Sequence, residues 1–236
     1  MALLITTLPL LAQYDPALQY QDRGNRHEGL KPKPVSGYDV ELLSALVDYR
    51  EPSPNWPETL RLKFYLPAAE PVFVTVRQPR PRTAYYWLDK IVPPAPWRPR
   101  AFNEFAWPTE PVLRKLSSVK LEDLGVVVRL SHQDPSRKET IAPAALFHTQ
   151  APRAAEGYRF TFKTNGTAFV TGRIYRGDRR VHERPQNRER AGSPFTLSWN
   201  AQGQSEGEYR LELSGYFHNN VQLAKEVTFY HRAAWR

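Results

Sequence analysis

The chain has 236 residues, which suits one large or two small domains at about 100–200 residues each. A hydrophobic fraction of 41% with 12% aromatics excludes a disordered chain, and the absence of cysteine excludes disulfide stapling, thiolate catalysis and cysteine-ligated zinc. The formal net charge of +9 favours acidic partners, and 22 prolines beside one methionine favour strands and turns over helices.

The charge is uneven. Residues 151–236 carry 14 Lys+Arg against 8 Asp+Glu, and the first 150 carry 19 against 16. Met1–Ala12 reads MALLITTLPLLA, the length of a signal-peptide apolar region and too short for the ~20 residues that span a bilayer. Followed by polar Gln13, it predicts cleavage after Ala12 and a periplasmic or secreted protein. No basic residue precedes it, and Leu10 is large for the −3 position. The alternative is a hydrophobic arm on a cytoplasmic protein. Residues 13–36 read as an extended polar leader broken by Gly24, Gly29, Pro32 and Pro34. His27-Glu28 opens like a zinc-protease helix, but Lys31 stands where the second histidine belongs, so no metal site is predicted there.

Residues 37–150 read as a β-sandwich-like domain. YDVELLSALVDY (38–49) fits period 2 and period 3.6 alike, and its Gly37 and Pro52 borders favour a strand. LRLKFYL (60–66) alternates Leu60, Leu62, Phe64 and Leu66 on one face, and VFVTVRQ (72–78) does the same with its valines. Ala84–Ile91 suits an edge strand, and VLRKL (112–116) a short strand or helical turn. GVVVRLS (125–131) is a β-branched run expected at the centre of its sheet, and ETIAPAALFH (139–148) a strand broken at Pro143.

Between these strands lies the most unusual stretch, PRPRTAYYWLDKIVPPAPWRPRAFNEFAWPTEP (79–111), with eight prolines and three of the six tryptophans. Each proline removes a backbone donor and fixes φ, so the stretch is expected to be a loop-rich crossover. Its aromatics either cap a sandwich core or form a recognition surface, because clustered Trp, Tyr and Arg make binding hot spots. The candidate contacts to a partner or glycan are Tyr85, Tyr86, Trp87, Trp97, Arg98, Arg100, Phe102, Phe105 and Trp107.

Thr149–Gly157, small and polar, reads as a linker to a second domain at 151–236. There YRFTFKT (158–164) and AFVTGRIYR (168–176) flank Asn165-Gly166, the favoured two-residue hairpin turn. Strands follow at 193–199, 206–217 and 226–232, with turn signals about every 8–12 residues, the pattern of a β-sandwich. Gly207-Glu208-Tyr209 at a strand start resembles the tyrosine corner of immunoglobulin-like folds. With GRIYRGDRRV and FTLSWNAQGQSEGEYRLELSG, residues 158–232 resemble the immunoglobulin-like modules of bacterial envelope and secreted proteins. The resemblance implies a sandwich, an extracytoplasmic setting and a Tyr209 hydroxyl bonded back to its own chain. It implies no active site.

RIYRGDRRVHERPQNRER (173–190) has seven arginines against three acids. Arg173, Arg176, Arg179, Arg180 and Arg184 are the candidates for steering acidic surfaces, against the reading of a solvated hairpin neutralised by Asp178, Glu183 and Glu189. Only Tyr175 is interleaved to stack bases, so nucleic acid is a poor fit. Arg176-Gly177-Asp178 reads as turn chemistry.

No phosphate-cradling loop, dinucleotide fingerprint or nucleophile elbow is present, and the six histidines lack ligand spacing. Asp89 and Glu104 are the only pair that suggests glycoside hydrolysis, whose ~5–9 Å carboxylate separation the fold alone would decide. The expectation is therefore an all-β protein of two immunoglobulin-like β-sandwich domains in tandem with a proline- and aromatic-rich crossover loop. It has no catalytic residues, cofactor, metal or transmembrane segment. It acts as an exported, non-enzymatic binding or assembly component docking protein partners in a bacterial envelope or surface complex. The alternatives are a carbohydrate-binding module stacking sugars on exposed tryptophans and a polyanion-binding protein.

Overall fold

A computed structural model of the chain describes residues 37–49, 59–69, 72–77, 89–91, 97–108, 124–130 and 139–235. Every regular element among them is a strand: β1 (Val40–Val47), β2 (Thr59–Leu66), β3 (Val72–Arg77), β4 (Asp89–Ile91), β5 (Ala101–Pro108), β6 (Gly125–Leu130), β7 (Thr140–Ala142), β8 (Ala144–Phe147), β9 (Gly157–Thr164), β10 (Ala168–Arg176), β11 (Arg179–Glu189), β12 (Pro194–Asn200), β13 (Gly207–Phe217) and β14 (Gln222–His231). The all-β, sandwich-like class is as expected. The readings on 1–36, on 84–88 and on 112–116 lie outside the described residues. No helix among the described residues is long and apolar enough to cross a membrane.

The strands form a six-stranded sheet, β12-β9-β1-β8-β2-β5, and an eight-stranded sheet, β11-β10-β13-β14-β7-β6-β3-β4. Each sheet is two antiparallel blocks joined by one parallel pair, β1 with β8 and β14 with β7. Both sheets run across residue 150: β9, which follows it, pairs over nearly its whole length with β1, which precedes it. The stretch read as a linker is tied down as well, since Ala155 N–H donates to Ala233 and Trp235 N–H to Arg153.

Two apolar cores follow from the period of the strands. One gathers Phe160, Phe162, Leu197, Trp199, Leu211, Leu213, Val227 and Phe229, and the other Leu60, Leu62, Phe64, Leu66, Val74, Val126 and Val128. The central strands serve both. Ala45 and Val47 enter the first while Leu46 enters the second, and Val127 parts from Val126 and Val128 in the same way. Successive side chains point to opposite faces, so a strand buried on both faces reads as a continuous apolar run. That is why 125–131 showed no alternation and why 38–49 was ambiguous.

Three local expectations change. The proline-rich run was expected to be loop, yet its AFNEFAW core forms β5, an edge strand paired with β2. Within the strand only the last residue, Pro108, is proline, so the ladder loses nothing before it. Asn165-Gly166 does not turn a hairpin, because β9 and β10 lie in different sheets and neither residue has positive φ. Instead the Asn165 amide accepts from Asp39 N–H at 2.8 Å and donates to the Gly37 carbonyl at 2.7 Å, pinning the start of β1. Pro143 does break its strand, and the break moves the chain from one sheet to the other.

Candidate functional site

The β10–β11 hairpin is built by alternation. Ala168, Val170 and Ile174 bury one face of β10, leaving Phe169, Arg173 and Tyr175 on the other. Gly177-Asp178 closes it, and Gly177 at φ 55° supplies the positive first turn position that a β-carbon would disfavour. β11 is the edge of its sheet and nearly all exposed. Pro185 and two register irregularities interrupt its pairing with β10, and charge, proline and bulges together keep an edge from capturing foreign strands.

The structure divides the predicted steering arginines. Arg180 pairs with Glu183, and Arg173 reaches Glu183 at 3.6 Å and donates to Ser214 Oγ at 3.0 Å. Arg184 turns inward to Glu189 and sits over the Phe195 ring. These three share two carboxylates. Arg176 and Arg179 at the tip are exposed with no carboxylate partner among the described residues, and so are Arg188 and Arg190 at the far end. The last two were not singled out from sequence. In Arg188-Glu189-Arg190 the acid alternates to the buried side, leaving the arginines exposed without it. The signal was legible in the period-2 rule.

Beyond the hairpin, register builds rows across the outer sheet face. One runs Arg188–Phe169–Tyr216–Gln222, and another Arg180–Tyr175–Arg210–Thr228. Phe169 and Tyr216 stack with centroids 5.1 Å apart, and Tyr216, 39% exposed, is the exposed large hydrophobic of the described residues. Before it, Gly215 has φ 154°, and a β-carbon there would lie 1.8 Å from the Phe169 carbonyl oxygen. Arg210 stacks over Tyr175 at 5.0 Å and pairs with Glu212.

Among the described residues of the aromatic run, three rings pack against the cores, as in its core-capping reading. Trp97 is half-buried, edge-on to the buried Phe64 ring at 5.2 Å, and Phe105 packs on the same core. Phe102 packs against Trp235 and Tyr65 with Lys63 above it, so it helps hold the C-terminal segment. Trp107 gives its backbone to β5, and Tyr85, Tyr86 and Trp87 lie outside the described residues. Arg98 and Arg100 are exposed on a turn in which Pro99 precedes Arg100 at φ 54°. The Asn103 amide clamps that turn, accepting from Arg98 N–H and donating to the Arg98 and Ala101 carbonyls.

Two buried polar constellations were not legible. His231, fully buried, accepts the Tyr158 hydroxyl at Nδ1 (2.7 Å) and turns Nε2 to the Gln204 carbonyl at 3.3 Å, which fixes the proton on Nε2. The Tyr158 oxygen accepts in turn from Arg232 N–H. Burial lowers the His231 pKa and raises that of Tyr158. The Tyr209 hydroxyl donates to the Ser205 carbonyl at 2.7 Å, the back-bond expected of it. His218, exposed just past the opposite end of β13, does not meet His231. Glu139 pairs with Arg129 at 2.8 Å and with Lys225, and burial opposed by these cations leaves its pKa at about 2. His231, Tyr158, Tyr209 and Glu139 are each bonded to neighbours within the fold, the arrangement of structural networks.

No group of three or more metal-ligating side chains occurs among the described residues. Asp89 and Glu104 lie on strands of different sheets, and Glu104 is paired with Arg61 at 2.8 Å.

Fold and surface together define an all-β, sandwich-like protein with one long cationic edge. No protein-family model matches the chain, and no curated protein matches it. Among solved structures it is similar to a β-1,2-glucanase from Parabacteroides distasonis, at 12% identity and a TM-score of 0.26, over 75% of this chain. The chain spans 28% of that enzyme's length, and a likeness this distant carries neither fold nor chemistry across.

Proposed function

We propose that the protein is a non-enzymatic binding component that docks an acidic protein partner along its β10–β11 edge. The carrying observation is the set Arg176, Arg179, Arg188 and Arg190, exposed on and just beyond one hairpin without carboxylate partners among the described residues, while Arg180 and Arg184 between them are paired. Unpaired arginines at a rim accelerate encounter and select acidic surfaces. The apolar Met1–Ala12 run supports export, and with it a place in a bacterial envelope or surface assembly; the mass of the mature N-terminus tests that part. We further read the two antiparallel blocks as tandem immunoglobulin-like sandwiches, three strands facing four in each. The Tyr209 back-bond supports this reading for the second.

The test is capture from native envelope extract by wild type and by Arg176→Glu with Arg179→Glu, at low and high salt. An acidic partner retained at low salt, and lost at least tenfold in the variant, is the expected result. Equal capture by both proteins at every salt concentration refutes the docking edge.

A second reading, glycan binding, is favoured by the Arg188–Phe169–Tyr216–Gln222 row. An exposed tyrosine stacked on a half-buried phenylalanine, beside a guanidinium without a carboxylate partner among the described residues, suits a sugar chain bearing carboxylates. It moves the stacking platform from the tryptophans to Tyr216. Co-sedimentation with insoluble polyuronate, abolished by Tyr216→Ala, would hand the function to it.

A further inference from the structure

The pairing of β2 to β7 is repeated, strand for strand, in β9 to β14. β2 pairs with β5, β3 with β4 and β6, and β6 with β7; β9 pairs with β12, β10 with β11 and β13, and β13 with β14. A simple tandem would complete each unit with the strand just before it, β1 on β2 and β8 on β9. The opposite is observed. β1 lies antiparallel on β9 and β8 antiparallel on β2, while β1 and β8 meet as a parallel pair. We propose that the chain is a doubled seven-strand unit whose first strands are exchanged, and that the exchange makes the two units unfold as one.

The local sequence shows how the exchange is made. Pro143 has no N–H, so the ladder can break there without orphaning a donor. The chain leaves the eight-stranded sheet at Ala142 and enters the six-stranded sheet at Ala144, which delivers β8 to β2. β1 then fills the place on β9. Its ladder is with the later unit, yet it stays bonded to β6 of the earlier one. Val126 N–H donates to Ser44 Oγ at 3.1 Å, and the Arg129 guanidinium to the Leu42 carbonyl at 3.2 Å. The register irregularity between Leu42 and Ser44 falls at these two bonds. Pulling β1 away would open the first core at Val40, Leu42, Ala45 and Val47 and the second at Leu46. Neither unit can lose it alone.

Amide hydrogen exchange on the full chain under native conditions tests this. Leu211→Ala makes a cavity in the first core, which takes Val127 from β6 and no residue from β3, so β3 reports any spread beyond that core. The proposal expects amides of β3 and β6 to accelerate by the same factor as those of β10 and β13, on the order of a hundredfold. Acceleration confined to β9–β14 and β1, with β3 and β6 unchanged, overturns it. If Leu211→Ala does not fold, Val227→Ala in the same core makes the same test with a smaller cavity. Repeating the comparison with Glu139→Gln added isolates the strands from the Arg129–Glu139–Lys225 cluster. Coupling that survives supports the exchange, and coupling that disappears assigns it to the ion cluster instead.

Discussion

The two blocks share one pairing order but are filled with different chemistry. The earlier block is packed with Leu60, Leu62, Leu66, Val72, Val74, Val126, Val128 and Leu130 around Phe64, its one fully buried ring among the described residues. The later block surrounds Phe229 with Tyr158, Trp199, Tyr209 and His231, rings within about 6 Å of one another and tied by hydroxyls. The edges differ in the same sense: β4 has three residues, while its counterpart β11 has eleven and carries Arg179 and Arg188, without carboxylate partners among the described residues. One topology therefore tolerates both an aliphatic core and a polar aromatic one. The buried histidine lies in the second.

The largest effect is expected where the blocks meet. Glu139 lies against Arg129 of β6 and Lys225 of β14, one cation from each block. Glu139→Ala leaves both cations mostly buried and without their acid, which should cost about 3–5 kcal/mol in urea unfolding at neutral pH. A loss below 1 kcal/mol would mean that water reaches this cluster and that the joint rests on β-pairing alone. The same group sets an acid limit. Its pKa is about 2 in the folded chain against 4.5 ordinarily, so its contribution is complete above 4.5 and is lost as pH falls from there toward 2.

The next effect separates the blocks by pH. Burial lowers the His231 pKa, so the unfolded chain takes up the proton first. Stability is therefore full above about 6.5, the ordinary histidine value, and declines as pH falls below it until the folded chain protonates too. His231→Phe should lose about 1–3 kcal/mol at pH 7.5, because it strands the Tyr158 hydroxyl, and should flatten the profile between pH 6.5 and 5. An unchanged slope in that window would place the acid sensitivity elsewhere.

What was legible in the sequence follows the same division. Half-buried strands such as 60–66 and 158–164 announce themselves by alternation, because one face meets water. β1 and β6 are buried on both faces, so their sequences carry no phase, and nothing local indicates that β1 should skip β2 for β9. That choice is set by cores assembled from distant residues. Asn165-Gly166 misled for a related reason: its composition suits a hairpin, but the Asn165 amide is used on Gly37 and Asp39. Among site residues, the count of arginines and the outward turn of Arg188 and Arg190 about Glu189 were legible, while the pairing of Arg180 with Glu183 and of Arg184 with Glu189 was not. Trp97 looked like an anchor for a partner and packs against Phe64.

The smallest stability effect belongs to the arginines with the largest proposed functional effect. Arg176 and Arg179 are exposed at a hairpin tip beyond the core, and exposed substitutions away from caps and cores stay within about 0.5 kcal/mol. Arg176→Glu with Arg179→Glu should therefore leave the melting temperature in place while weakening capture of an acidic partner at low salt. The contrast with Glu139 follows from solvent. Charges buried in the joint are screened little, whereas those at the tip are screened within a Debye length of about 8 Å at physiological salt. If the tip variant melts several degrees lower, the stems of Arg176 and Arg179 pack on the fold as well as displaying their charge. The hairpin would then belong to the later block's core as much as to its surface.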